Sequence, residues 1–124
     1  MTHFDRNTPI YLQIVENITK KILSGEFSPG EKLPSVRDIA AAQGINPNTA
    51  QRALSTLEAD MLVVTERTSG RFVTEDNALI EEKRVAAARK LTEEFIQNMK
   101  EIGFPEEKLA SLFIGGDEKN DITD

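Results

Sequence analysis

Cysteine is absent from the sequence. A disulfide framework, a thiolate metal site and a cysteine nucleophile are therefore excluded. Histidine occurs once, as His3, and no pair of carboxylates stands at a recognisable catalytic spacing. Nothing remains to act as nucleophile or general base, so no catalytic residue, metal ligand or cofactor is expected. Long apolar runs are missing too: none approaches the ~20 residues that a bilayer crossing requires. The opening stretch MTHFDRNTPIYLQ is polar and lacks the basic and apolar regions of a secretory signal. These absences point to a soluble cytoplasmic protein with no membrane partner.

Positive charge is also short, and unevenly so. The 124 residues carry 15 Lys+Arg against 21 Asp+Glu, a formal net charge of −6. Residues 1–75 hold 8 basic against 9 acidic side chains, a net of −1, whereas residues 76–124 hold 7 against 12, a net of −5. This shift suggests two functional parts. A chain of this length makes one domain, or one small domain with an appendage, and buries roughly two-thirds of its unfolded surface.

The segment NTPIYLQIVENITKKILSGEF predicts a first helix. Thr8 is suited to cap it and Pro9 to the first helical position. Ile10, Ile14, Ile18 and Ile22 recur every four residues, widened by Tyr11 and Val15 into an apolar stripe. Gly25 can close the helix in a left-handed conformation, and FSPGEKLP reads as a turn-rich link. A second, short helix starts at Ser35, whose SVRD pattern is a variant capping box. Val36, Ile39 and Ala40 form its apolar face, and Gly44 stops it. Only GIN intervenes before a third helix with Asn46 as cap and Pro47 in its first position. Two short helices joined by a tight turn make a helix-turn-helix candidate.

The third helix separates its residues sharply. Ala50, Ala53, Leu54 and Leu57 fall on one face. Asn48, Gln51, Arg52 and Ser55 fall on the other, with Thr49 at the flank. A merely solvated face is usually rich in Glu and Lys; this one offers amide, hydroxyl and guanidinium groups instead. Beyond Met61 the period becomes that of a strand: LVVTER and RFVT flank TSG, a three-residue hairpin link in which Gly70 can adopt positive φ. From Asn77 a long helical pattern resumes with Leu79, Ile80, Val85, Ala87, Leu91, Phe95, Met99 and Ile102, ended by Gly103. PEEKLASLF predicts one more short helix, followed by a polar acidic tail.

The expected fold is mainly α with a small β-hairpin. It comprises a winged helix-turn-helix over residues 1–75, a two-helix segment over 76–114 and a loose tail over 115–124. This order of motifs resembles the GntR family of bacterial transcription regulators. The resemblance is carried by PIYLQI, by GEFSPGEKLPSVRDIAAAQGINPNTAQRAL and by TSGRFV, and it covers about nine-tenths of the chain. LPSVRDIA matches the family's Leu-Pro-Ser-x-Arg-x-Leu-Ala pattern, with Val36 where Glu is more usual. NPNTAQRAL is similar to the YtrA-like subfamily, which has a short C-terminal part of two helices in place of a large effector domain.

The major groove of DNA admits a helix and presents distinct donor and acceptor patterns. Asn48 or Gln51 suits adenine, and Arg52 suits guanine or a phosphate. The resemblance implies that Thr49 and Arg37 contact DNA as well; the family's common Arg at the place of Gln51 is absent. Gly70, between Arg67 and Arg71, would bring the wing tip to the minor groove, and Lys32 and Tyr11 are further phosphate candidates. Arg37 has a plainer reading as the partner of a neighbouring carboxylate, Arg67 and Arg71 as ordinary edge-strand charges that discourage aggregation, and Asn46 as a cap rather than a base reader. The acidic second half is expected to face away from the duplex.

Apolar residues on the C-terminal helices exceed what a free appendage should expose, and fit a homodimer through residues 77–114. Helix-turn-helix readers commonly bind two half-sites as symmetric dimers. The expected function is a homodimeric repressor on a pseudo-palindromic operator. The competing reading is a winged helix that binds protein without sequence-specific DNA recognition. A small-molecule effector between dimer helices, or control by protein level alone, are both open.

Overall fold

The computed structural model describes residues 7–115. His3 and, apart from Gly115, the expected tail lie outside them. Among these residues the elements run α1 (Ile10–Ser24), α2 (Val36–Gln43), α3 (Pro47–Ala59), β1 (Val63–Glu66), β2 (Gly70–Val73) and α4 (Asn77–Glu101). A 3-10 turn (Glu106–Lys108) then leads into α5 (Leu109–Gly115). The architecture is mainly helical with one small hairpin, as expected. The chain forms two compact units that divide between Arg84 and Val85.

In the first unit α3 is the central element, packed against α1, α2 and β1. Ala50, Ala53, Leu54 and Leu57 of α3 are completely buried, joined by Ile14, Val15, Ile18 and Ile22 of α1 and Ile39 and Ala40 of α2. The two alanines carry so little bulk that neighbouring helices approach α3 closely. The apolar stripe of α1 is shorter than its fourfold repeat suggests: Ile10 is exposed. Pro9, expected in the first helical position, is instead the capping residue, and no side chain caps this end. Its fixed φ and extended ψ suit it to the entry of the helix; Leu12 and Gln13 donate their backbone N–H groups to its carbonyl.

α2 and α3 begin as their sequences specify. Ser35 Oγ accepts from Asp38 N at 3.1 Å, and Asn46 Oδ1 accepts from Asn48 N at 2.7 Å. α3 ends differently from α1 and α2, which close on Gly25 and Gly44. Its closing left-handed residue is Met61, with φ 66, and Met61 N and Leu62 N donate back to Glu58 O and Leu57 O.

The hairpin pairs β1 with β2 in the register Val63↔Val73 to Glu66↔Gly70. Its link is therefore Arg67-Thr68-Ser69, one residue earlier than TSG, and Gly70 opens β2 with φ 113. The stretch read as a turn-rich link is partly strand. Gly30 N donates to Val73 O, Val73 N to Glu31 O and Leu33 N to Arg71 O, at 2.8–2.9 Å, around an antiparallel bridge between Lys32 and Phe72. β2 is thus bonded along both edges.

The first two turns of α4 belong to the first unit. Asp76 Oδ1 caps them by accepting from Leu79 N at 3.0 Å, and Ile80 is buried in the core. In the second unit Gly103, with φ 84, closes α4, while Gly103 N and Phe104 N donate to Lys100 O and Met99 O. Phe95 and Phe113 pack with ring centroids 6.3 Å apart, Lys100 pairs with Glu106, and Leu109 is buried. Among the described residues no helix is long and apolar enough to cross a membrane.

Candidate nucleic-acid interface

Burial of one side of α3 dictates what its other side presents. Because Ala50, Ala53, Leu54 and Leu57 are locked inward, helical geometry turns Asn48, Gln51, Arg52 and Ser55 outward, and all four are exposed. Thr49, at the flank, is half-buried. The Asn46 cap and Pro47 fix where this row begins. Gln51 donates from Nε2 to Ser55 Oγ at 3.2 Å, which sets its amide orientation along the helix surface.

Arg52 has a partner from another element. Its guanidinium carbon lies 3.9 Å from the centre of the Tyr11 ring on α1, within cation–π range. Ile10, Tyr11, Asn48, Thr49 and Arg52 line a hollow of about 360 Å³. The structure thus gathers three of the expected α3 residues with Tyr11, and gives the exposed Ile10 a place at their margin.

The other expected residues lie apart from this row. Arg37 is exposed in the first turn of α2 and makes no ion pair among the described residues. Arg67 is exposed in the hairpin link, and Gly70 is exposed at the start of β2. Arg71 is half-buried and turned back toward α3: its Nε lies 3.4 Å from Glu58 Oε1, and the Thr65 hydroxyl donates to the same carboxylate. The Arg71 charge is therefore already met by Glu58.

Lys32 enters the wing in a way that no local spacing announces. The bridge to Phe72 sets it beside the hairpin, where its Cε would stand 3.1 Å from a Cβ added at Gly70. The positive φ of 113 is what favours glycine at position 70; the flexible end of Lys32 could shift to admit a Cβ. Of the expected residues, the exposed cations Lys32, Arg37, Arg52 and Arg67 are able to meet phosphate, while the amides and hydroxyls of α3 can exchange hydrogen bonds with base edges.

Comparison with known proteins follows the same segment. The family described as bacterial regulatory proteins, gntR family, matches residues 10–73, from the first residue of α1 to the last of β2. The HTH-type transcriptional repressor YtrA of Bacillus subtilis is 34% identical over 123 residues, covering 93% of this chain and 94% of its own. A GntR family transcriptional regulator from Listeria monocytogenes has a solved structure with a TM-score of 0.81 and 40% identity; the match covers 89% of this chain and 96% of that one. The DNA-binding domain of AraR, solved in complex with operator ORR3, matches with a TM-score of 0.53 and 26% identity, over 60% of this chain and 87% of its own.

Proposed function

We propose, because this chain belongs to the gntR family of bacterial regulatory proteins and to its YtrA-like branch, that it represses transcription by occupying a pseudo-palindromic operator as a homodimer. It is a DNA-binding transcriptional regulator with a winged helix-turn-helix, and not an enzyme. In the proposed mechanism α3 enters the major groove with Asn48, Thr49 and Gln51 at the base edges, and Arg37 and Arg52 alongside. The hairpin tip, with Arg67, Gly70 and Lys32, lies toward the neighbouring minor groove, while Arg71, expected there too, is engaged by Glu58 and braces the hairpin against α3. The protein acts in the cytoplasm, where it blocks polymerase at a promoter.

The observation that carries this reading is the polar row Asn48–Gln51–Arg52–Ser55 on a helix whose opposite face is wholly buried. Such a helix is rigidly held and offers a donor and acceptor pattern with little bulk. The dimer rests on a separate observation. Leu91 is 65% exposed, Ile102 76% and Phe113 71%, apolar surface of the kind that association between copies would cover. Repression is supported by the name of the Bacillus subtilis relative.

Selection of genomic fragments by the purified protein, followed by gel-shift titration at two salt concentrations, tests the proposal. Enrichment of a palindromic site that binds two protomers and weakens with salt is expected. Absence of any enriched sequence would leave the winged helix as a protein-binding module.

A further inference from the structure

The Tyr11–Arg52 stack joins two helices at the polar end of α3. Arg52 sits about 100° round the helix from Gln51 and about 40° from Asn48, on the side of α3 that borders the hollow with Ile10, Tyr11 and Thr49. Gln51 and Ser55, bonded to each other, are outside that hollow. Arg52 therefore leans toward α1, away from the Gln51 side of the row. A reading helix points its outer ridge at the base edges, so a side chain set toward one flank of that helix lies nearer the sugar-phosphate backbone that borders the groove.

The stack also restricts what Arg52 can do. With the guanidinium carbon 3.9 Å from the centre of the Tyr11 ring, the contact limits how far the group can swing, and its planar N–H edge has no hydrogen-bond or ion-pair partner among the described residues. That edge matches two phosphate oxygens. No carboxylate lines the hollow, so nothing there competes with or repels an incoming anion.

We infer that Tyr11 is a positioning residue that aims Arg52 at a backbone phosphate, leaving base discrimination to Asn48, Thr49 and Gln51. The inference rests on the DNA-binding reading above and assigns the ligand of one of its side chains as a phosphodiester.

The test is a double-mutant cycle of Tyr11→Leu and Arg52→Ala, with Tyr11→Phe as the conservative variant. Binding is measured on the selected operator, on single-base-pair variants of it and on a duplex of unrelated sequence, each over a range of salt. Arg52→Ala should weaken binding about tenfold by the same factor on every duplex, and flatten the plot of log K against log salt by about one unit. Tyr11→Leu should weaken binding about threefold on every duplex, with no further loss when added to Arg52→Ala. Tyr11→Phe should stay within twofold of the wild type.

If Arg52→Ala erased discrimination at one base pair, Arg52 would be a base reader and the inference would fall. Independent, additive losses would remove the positioning role of Tyr11. A wild type that binds both operator and unrelated duplex equally would sink the proposed operator function, yet the salt slope of the cycle would still decide the phosphate contact. A wild type that binds no duplex would sink both. Circular dichroism of Tyr11→Leu, expected to match the wild type, keeps a folding defect from passing as the effect.

Discussion

The Arg84 guanidinium donates two hydrogen bonds, at 2.9 and 2.8 Å, to the carbonyl oxygen of Leu23, 61 residues earlier. Leu23 lies in the last turn of α1, where helix carbonyls lack intrahelical donors and the helix dipole favours a cation. Arg84 supplies both and so ties the start of α4 to the end of α1. Hydrogen bonds to a charged group contribute roughly 1.5–3 kcal/mol when sheltered. The Arg84 side chain is 47% exposed, which lowers the expectation to about 1 kcal/mol. Arg84→Ala should lower the free energy of unfolding in urea by that amount, and Arg84→Lys should recover part of it.

Ala53 is wholly enclosed on the face of α3 that meets the other helices. Ala53→Leu has nowhere to place three further carbons without displacing a neighbour. Overpacking of this kind costs about 1–3 kcal/mol. Because α3 and the packed neighbour must move apart to admit those atoms, the seating of α3 changes and a folded Ala53→Leu protein should also bind operator less tightly. Denaturation and gel-shift titration of the same sample separate the two effects, and full operator affinity in the variant would contradict the tight-packing account.

Asn46 spends its side chain on the N–H of Asn48. Asn46→Ala should therefore cost about 1 kcal/mol of stability through loss of the cap, while the ranking of operator variants stays that of the wild type. A change in base preference would mean that Asn46 reads DNA after all.

Leu91 and Ile102, both prominently exposed on or just beyond α4, give a direct test of the homodimer. The double variant Leu91→Glu, Ile102→Glu should sediment as a monomer at concentrations where the wild type is a dimer. Its affinity for a single half-site should be retained, whereas its affinity for a complete operator should fall by about 100-fold or more, the order of a lost bivalent advantage. A double variant that remains dimeric would place the interface elsewhere.

What the sequence made legible was local. Ser35, Asn46 and Pro47 mark helix starts because capping is a matter of a few adjacent residues. The faces of α3 follow from a period that any four apolar residues reveal. What escaped depends on residues far apart in the chain: the bonding of residues 30–33 to β2, the Arg84–Leu23 tie, and the Glu58 carboxylate that turns Arg71 away from the hairpin tip. No spacing within one element encodes such pairings. Two boundaries moved by a single residue, at Pro9 and at the hairpin link, because proline and glycine each suit more than one position of a turn. The Tyr11–Arg52 stack was half visible, in that both residues drew attention singly but nothing linked them.

Ile80 is the last residue in the chain to enter the core of the first unit. A ribosome emits the chain from its N-terminal end at about 5–20 residues per second, so α1, α2, α3 and the hairpin all emerge before the residue that seals them. Until then the nascent winged helix has an open apolar seam. The helix that closes it is also the one that continues into the second unit. In the living cell the DNA-reading part therefore finishes folding only once synthesis of the next part is under way, and a message truncated before that point would yield an unsealed protein exposed to proteases and chaperones.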